Sequence, residues 1–290
     1  MLEPALDRAQ LRASFERASA TYESAARLPV SVAAELLERL AAFDFAPRVV
    51  LDLGCGTGRV SRELKERYPR SQVIALDLSA GMLREARRHL EGGQRFERVC
   101  GDALRLPLRD ASVDLVFSNL MLEWCEPLET ALAEVRRVLK GSGFFAFSIL
   151  GPDTLHELRA SWAQADGYDH IHRFPDVHGV GDALMRCGLA EPVLDIDRYE
   201  LGYPDALTLM RDLKATGARN VTAGRPRSLL GRARLERVQQ AYESFRRDSQ
   251  LPATYEVIYG ASWGACGRPA ATAIGGLARI APGSIRRSQR

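Results

Sequence analysis

The stretch VVLDLGCGTGRVSREL, residues 49–64, decides the fold. Its first residues are apolar except for Asp52, as expected for a buried strand, and the residues after the glycines have the spacing of an amphipathic helix. Between these two runs lie Gly54, Gly56 and Gly58. A glycine-rich turn between a strand and a helix usually holds a nucleotide, because the backbone can approach the ligand closely there. The stretch therefore predicts a nucleotide-binding strand–turn–helix unit.

The rest of the chain continues this alternation. Strands are predicted at residues 48–53, 72–78, 95–102, 112–120, 144–150, 192–201 and 253–263. Helices are predicted at residues 58–68, 80–90, 127–140, 153–165, 177–187, 203–220 and 228–248. Strands separated by single helices favour a mostly parallel sheet with helices on both faces, which is an α/β fold of the Rossmann-like type. In such folds ligands bind beyond the carboxyl ends of the strands.

The chain divides into three predicted parts. Residues 1–45 have helical spacing and are expected to form an N-terminal lid. Residues 46–264 are expected to form the main domain, with an insertion on the substrate side over about residues 151–250. Residues 265–290 are rich in Gly, Ala and Arg without any period, which predicts a flexible tail.

The glycine spacing and three aspartates indicate which nucleotide is bound. A P-loop is excluded because Gly58 is followed by Arg59 and not by Lys and then Ser or Thr. Asp52 would repel a pyrophosphate but suits an ammonium or sulfonium group. Asp77 ends the second strand and follows Gly58, the last glycine of the turn, by about the 20 residues at which an acid binds ribose hydroxyls. Asp102 ends the third strand, where a carboxylate can accept from an adenine amine. Together they describe a positively charged adenosine without phosphate, which is S-adenosylmethionine.

On these motifs the chain resembles the class I S-adenosylmethionine-dependent methyltransferases. The likeness covers residues 48–150 and includes VLDLGCGTG, ALDLSAGML, GDALRLPL, VDLVFSNLMLEW and LKGSGFFAFS. The resemblance implies a seven-stranded sheet that ends with an antiparallel strand, which residues 253–263 would supply. It also implies the following cofactor-binding residues: Asp52, Gly54, Gly56, Gly58, Asp77, Leu78, Met82, Asp102, Ala103 and Asn119.

Segments outside this core resemble one family, the malonyl-[acyl-carrier protein] O-methyltransferases of biotin synthesis. These segments are FERASATYESAARL (15–28), the run over 118–162, MRDLKATGARNVTAGRP (210–226) and LPATYEVIYGASW (251–263). One position departs from the family, because Glu123 stands where many relatives carry Gln or His. The resemblance implies that the substrate is acyl carrier protein carrying a malonyl thioester, whose free carboxylate is methyl-esterified.

The implied reaction needs few chemical groups. A malonyl carboxylate is ionised at neutral pH, so no general base is required, and the protein has to align the carboxylate with the methyl group and exclude water. The candidate catalytic residues are Tyr22 in the lid and Arg173 in the HIHRF segment, which would hold the carboxylate. Tyr22 is also interpretable as a helix-packing tyrosine, and Arg173 as a solvated loop arginine. Trp124 either walls the methyl channel or packs in the core.

Composition bears on several other functions. The net charge of +3 over 290 residues is too small to indicate nucleic-acid binding, and no apolar stretch approaches the ~20 residues that span a bilayer. Five scattered cysteines without a CxxC pair favour reduced thiols in a cytoplasmic protein.

We expect no metal, because the histidines of DHIHRFPDVH (169–178) have no second ligand cluster. The arginine-rich helix at 231–247 is either a solvated face or a docking site for an acidic carrier protein, and the oligomeric state is not predicted.

Three alternatives to the malonyl enzyme stay open at this stage. Residues 151–263 are also similar to mitochondrial complex I assembly factors that keep this fold but hydroxylate an arginine. A second alternative is a non-catalytic binding protein that retains the nucleotide site as a scaffold. A third is a methyltransferase that acts on another small carboxylate or on an RNA base.

Overall fold

A seven-stranded sheet forms the centre of the molecule. The computed structural model describes residues 6–43, 45–89, 95–222 and 231–266. The strands are β1 (Val49–Leu53), β2 (Gln72–Asp77), β3 (Glu97–Cys100), β4 (Val113–Asn119), β5 (Leu139–Leu150), β6 (Ala190–Tyr203) and β7 (Leu251–Trp263). Their order across the sheet is β3-β2-β1-β4-β5-β7-β6.

The first five strands run parallel, and β7 is antiparallel to both of its neighbours, β5 and β6. The register places Phe147 opposite Gly260 and Ile196 opposite Ile258. The predicted α/β fold with an antiparallel last strand is therefore confirmed.

Helices cover both faces of this sheet. They are α1 (Arg8–Ala18), α2 (Tyr22–Ala25), α3 (Arg27–Leu40), α4 (Arg59–Arg67), α5 (Ala80–Arg88), α6 (Leu128–Val138), α7 (His156–Ala165), α8 (Val177–Arg186), α9 (Ala206–Ala215) and α10 (Arg232–Glu243). Several begin at a side-chain cap, since Ser79 accepts from the amide of Met82 and Asp205 from the amide of Thr208. In the described residues, no helix is long and apolar enough to cross a membrane.

The core lies in two layers because side chains alternate along each strand. Val50 of β1 joins a cluster that includes residues of α3, α4, α7 and α10. Leu51 and Leu53 face the other side, where they join residues of α6 and α8. This arrangement fixes the strands and leaves their carboxyl ends free to build a site at one edge of the sheet.

The predicted N-terminal lid, residues 1–45, separates into two parts with different roles. α1 and α2 contribute side chains to cavities at the carboxyl ends of the strands, and the chain before α1 is held by the amide of Asp7, which donates to the carbonyl of Val221 at 2.8 Å. α3 packs its buried Leu36 and Leu40 into the core beside the sheet, while Pro29 in its first turn also lines a cavity. The name lid is kept below for α1 and α2.

Several boundaries differ from the prediction, one short element was not predicted, and some predicted segments extend beyond the described residues. β5 begins at Leu139 and includes the Gly-Ser-Gly run that we expected to end a helix, because Leu139 pairs with Val113 of β4. A 3-10 turn at Leu122–Trp124 was not predicted. The helix expected at 228–248 is α10, whose first predicted residues lie outside the described ranges. The predicted tail lies outside them from residue 267 onward.

Candidate active site

The glycine turn after β1 brings the backbone close to two neighbouring segments. The amides of Gly54 and Cys55 donate to the carbonyl oxygen of Leu76 at 2.8 and 3.0 Å. A Cβ atom at Gly54 would lie 2.2 Å from Cγ of Met121, so no larger residue fits there. Gly58, with a φ of +75°, is the N-cap of α4 and is not among the described residues that line the cavities below. Its predicted role toward the cofactor stays a prediction.

Asp77, the last residue of the neighbouring strand β2, stabilises the glycine turn through its carboxylate. One carboxylate oxygen accepts from the amide of Gly56 at 2.9 Å, and the other accepts from the amide of Ser79 at 2.8 Å. Burial raises the pKa of Asp77 to about 6, against the lowering effect of these hydrogen bonds. The remaining lone pairs of the carboxylate can accept from two vicinal hydroxyls, as the ribose assignment requires.

Asp52 is buried beneath the same turn. Its carboxylate accepts a hydrogen bond from the hydroxyl of Ser61 in α4, and burial raises its pKa to about 7. A small cavity of about 40 Å³ is lined by Asp52 together with Tyr22, Gly56 and Asn119. A buried carboxylate without a cation partner is costly, and a cationic ligand in this cavity would relieve that cost.

A cofactor cavity of about 80 Å³ adjoins this small cavity at the edge of the sheet. It contains seven of the predicted cofactor residues: Gly54, Gly56, Asp77, Leu78, Met82, Ala103 and Asn119. Carboxylates therefore lie at the ends of β1 and β2, with apolar side chains at the adenine end. This donor and acceptor set fits S-adenosylmethionine, and the assignment of Asp77 to its ribose and of Asp52 to its cationic end stays a prediction.

Asp102 is placed differently from the prediction. It is not among the residues that line the cofactor cavity, and its carboxylate pairs with the guanidinium of Arg8 in α1. It also accepts from the amide of Leu104 at 2.9 Å. An adenine amine would have to share Asp102 with Arg8, so its role toward adenine stays a prediction.

The lid is fastened over the cofactor cavity by a glutamate. Glu16 of α1 accepts from the hydroxyl of Ser79 and from the amide of Gly81, both at 2.7 Å, and pairs with Arg84. These bonds, led by that of Ser79, lower the pKa of Glu16. The carboxylate lies at the N-terminus of α5, where the helix dipole favours a negative charge.

An acceptor cavity of about 410 Å³ lies on the other side of the lid. Four residues belong both to it and to the cofactor cavity: Phe15, Tyr22, Leu120 and Trp124. Two of these rings, Phe15 and Trp124, meet edge to face with centroids 5.5 Å apart. The two cavities therefore meet at one aromatic wall, where two ligands could come into contact.

Of the two predicted catalytic residues, only Tyr22 lines the cavities. Tyr22 lines all three cavities, and burial raises the pKa of its phenol, so it keeps its O–H at neutral pH. Arg173 is exposed and does not line the acceptor cavity, although its neighbours His172 and Phe174 do. In this conformation the loop turns the flanking rings, and not Arg173, toward the cavity. The role of Arg173 as a clamp stays a prediction.

Sequence reasoning missed three polar residues of the acceptor cavity. Glu123 and His172 each have a buried side-chain atom without a hydrogen-bond partner, Oε2 and Nε2 respectively. Arg219 also lines the cavity, and its Nε is buried without a partner. All three lie in segments that the sequence analysis quoted, since Glu123 departs from the resembling family, His172 belongs to residues 169–178 and Arg219 to residues 210–226. The sequence did not indicate that they would meet in one cavity.

The histidines of the 169–178 segment have local partners. His170 contacts both carboxylate oxygens of Asp166, at 2.9 and 3.1 Å, and stacks on Trp162. His172 lies against Trp124 with ring centroids 4.8 Å apart. Among the residues that the structure describes, no three His, Cys, Asp or Glu side chains come together as a metal-binding group.

Comparisons with known proteins agree with this geometry. The family model for a methyltransferase domain matches residues 51–147. Among solved structures, a protein from Bacillus halodurans described as a methyltransferase has a TM-score of 0.56 at 21% identity, covering 80% of this chain and 98% of that chain. At this identity the likeness shows the fold alone.

Curated relatives are considerably more similar. A malonyl-[acyl-carrier protein] O-methyltransferase from Methylovorus sp. is 51% identical over 264 residues, which are 89% of each chain. An enzyme of the same name from Laribacter hongkongensis is 46% identical over 271 residues, which are 91% of each chain. With this identity over this coverage, the chain belongs to the family of malonyl-[acyl-carrier protein] O-methyltransferases.

Proposed function

We propose that this protein methylates the free carboxylate of a malonyl thioester carried by acyl carrier protein, as an early step of biotin synthesis. The observation that carries the proposal is the wall shared by the two cavities, since it would bring a methyl donor and an acceptor together away from water. The names of the relatives support the malonyl acceptor, and they favour this reaction over arginine hydroxylation.

The cofactor is S-adenosylmethionine. When bound, it supplies a sulfonium methyl group, whose transfer forms a carbon–oxygen bond, breaks the carbon–sulfur bond and leaves a neutral thioether without consuming a proton. Asp77 and Asp52 would hold its ribose and its cationic end. The protein therefore has to bind, align and exclude water, and it needs no acid or base for this step.

Tyr22 is the residue that we propose to align the acceptor. It lies in the shared wall, and its protonated phenol can donate to a carboxylate oxygen. Trp124, in the same wall, would exclude water from the methyl path. Arg173 would reach the acceptor only through a change of side-chain conformation in its loop.

The carrier protein is the proposed partner, and the arginine-rich helix α10 stays a candidate docking face. Some of its charge is locally paired, since Arg232 lies 2.9 Å from Glu236 and Arg234 lies 3.3 Å from Asp166. We also propose a cytoplasmic location, because the five cysteines have free thiols that suit a reducing compartment.

An acceptor comparison tests the proposed function. Purified protein is incubated with S-adenosylmethionine and with malonyl-carrier, acetyl-carrier or unloaded carrier, and release of S-adenosylhomocysteine is followed. We expect turnover with the malonyl carrier alone, because the acetyl group lacks the carboxylate that is methylated.

A separate calorimetric titration with S-adenosylmethionine serves as the control for an intact cofactor site. Cofactor binding without turnover on the malonyl carrier would contradict the proposal and favour the scaffold alternative. Equal turnover on the acetyl carrier would instead mean that the carboxylate is not the acceptor.

A further inference from the structure

Glu123 lies in the acceptor cavity immediately beside the shared wall. It belongs to the 3-10 turn that follows β4, next to Trp124, and its side chain lines the cavity. The residue is only 8% exposed, and its Oε2 atom has no hydrogen-bond partner. Buried carboxyl oxygens are normally paired, so this atom is a group that still requires a ligand.

Among the described residues no cation pairs with Glu123: Arg8 of α1 donates to the carbonyl of the adjacent Trp124 at 3.2 Å, but its ion pair is with Asp102. The titratable neighbours are Tyr22 of α2, His172 of the cavity loop and Cys125 at the end of the same turn. Burial keeps His172 neutral, because it lowers the pKa of the imidazole to about 4. Burial raises the pKa of Tyr22 and of Cys125, so both stay protonated. Among the described residues Glu123 has no ion pair.

The charged residues of the wider cavity are Arg219, Lys214 and Asp212, which come from α9 and the loop after it. None of them forms a described hydrogen bond or ion pair with Glu123, whose pKa is raised to about 8 by burial. Glu123 therefore carries its proton at neutral pH. An ionised carboxylate at this position would repel a carboxylate acceptor, whereas the neutral acid can donate a hydrogen bond to it.

We propose that Glu123 acts as a neutral carboxylic acid that donates its O–H to the malonyl carboxylate oxygen that is not methylated. The inference rests on the proposed function and names the group of the protein that selects and orients the acceptor. Glu123 then holds one oxygen, and the other oxygen, which Tyr22 aligns, keeps a lone pair that can attack the methyl group beside Trp124. No proton is transferred, so Glu123 is unchanged after the reaction.

A neutral donor suits this reaction better than a guanidinium would. It orients the acceptor while withdrawing less electron density from it, so the attacking oxygen stays nucleophilic. The ester that forms is uncharged and accepts a weaker hydrogen bond than the carboxylate did. The same contact therefore favours binding of the substrate over binding of the product.

The test compares wild type with Glu123→Gln and Glu123→Ala by measuring kcat/KM for malonyl-carrier between pH 6.5 and 9. In wild type the acid is active while protonated, so kcat/KM should fall as the pH rises through about 8, approaching tenfold per pH unit. Glu123→Gln keeps a donor that does not titrate. We expect it to retain activity within about threefold at pH 7 and to lose the alkaline fall.

Glu123→Ala removes the donor, and we expect KM for the malonyl carrier to rise at least about tenfold with unchanged affinity for S-adenosylmethionine. Glu97→Gln, an exposed position in β3, serves as the matched control and should behave as wild type. Infrared difference spectra of wild type against Glu123→Gln add a readout that does not depend on activity. They should contain the carbonyl band of a protonated carboxylic acid at pH 7.

Several results would overturn the inference while leaving the proposed function intact. These are an alkaline fall that persists in Glu123→Gln, a loss in Glu123→Gln as large as that in Glu123→Ala, or no protonated-acid band. Absence of turnover by wild type with the malonyl carrier would instead remove the proposed function, and this inference with it.

Discussion

At the scale of single residues, the two aspartates of the cofactor site are held in a state that favours a cationic ligand. Burial raises the pKa of Asp52 to about 7 and that of Asp77 to about 6. Each would be stabilised as a carboxylate by a ligand that brings positive charge or hydroxyl donors. The ionised form of Asp52 therefore favours binding of a cationic ligand, but its burial lowers the stability of the folded protein without that ligand.

Replacing Asp52 with Asn should affect stability and cofactor affinity in opposite directions. The raised pKa means that the folded state holds the proton more tightly than the unfolded chain does, so stability falls as the pH rises from about 4 to about 7. Asp52→Asn removes this loss, and its amide oxygen can still accept from Ser61. At pH 8 we expect a melting temperature a few degrees above wild type, and affinity for S-adenosylmethionine at least about tenfold lower.

Differential scanning fluorimetry and calorimetric titration measure the two effects separately. Asp182→Asn, on the exposed face of α8, is the control and should change neither quantity. A variant that binds the cofactor as tightly as wild type would refute the assignment of Asp52 to the cationic end.

Seven residues that were predicted to bind the cofactor line the cofactor cavity, and of the acceptor cavity the sequence indicated Tyr22 and Trp124 but not its buried polar groups. Asp52 and Asp77 lie at fixed distances from a glycine turn, so spacing alone identified them. Glu123, His172 and Arg219 come from separate segments, and their partnerless atoms are revealed only by burial in the folded chain. For Arg173 the sequence does not indicate which side of its loop faces the cavity.

At the scale of elements, the lid α1 is joined to the sheet edge by side chains from two places. Arg8 pairs with Asp102 after β3, and Glu16 caps α5 through Ser79 and Gly81. The cofactor cavity beneath is small, about 80 Å³. We expect this lid to move when a nucleoside enters or leaves.

Glu16→Ala tests the lid. The substitution removes the bonds to Ser79, Gly81 and Arg84, so α1 should open more often. We expect the dissociation rate constant of the cofactor to rise about tenfold in stopped-flow measurements. The melting temperature should fall by only a few degrees, because the lost hydrogen bonds lie at the surface. Glu38→Ala, at an exposed position of α3, is the matched control.

An unchanged dissociation rate in Glu16→Ala would mean that α1 is not the barrier to release. Limited proteolysis gives a second measurement of the same motion. Cleavage near α1 should accelerate in the variant and be suppressed by S-adenosylmethionine.

Element types were predictable where the hydrophobic period was clear, and boundaries were less so. The strand predicted at 72–78 is found as β2, Gln72–Asp77, because a short apolar run of this length is typical of a strand buried inside a sheet. The start of β5 was missed because a Gly-Ser-Gly run resembles a loop, and only pairing of Leu139 with Val113 of β4 extends the strand through it.

At the scale of the whole molecule, the sheet determines where the chemistry takes place. The parallel strands β1, β2 and β4 end at one edge, so the glycine turn, Asp77 and Asn119 converge there. The insertion after β5 closes the other side and supplies Trp162, His172 and Arg219 to the acceptor cavity. The two cavities share a wall in which Phe15 and Tyr22 of the lid meet Leu120 and Trp124 of the chain after β4.

The most direct test of the account is the position of the transferred methyl group. After incubation of malonyl-carrier with S-adenosylmethionine and the protein, the acyl-pantetheine fragment is released from the carrier and examined by tandem mass spectrometry. We predict a malonyl group that gains one methyl on its terminal carboxylate and loses it under mild base, as an ester does. A methyl group found on a carrier side chain, or no gain on the malonyl group, would contradict the account.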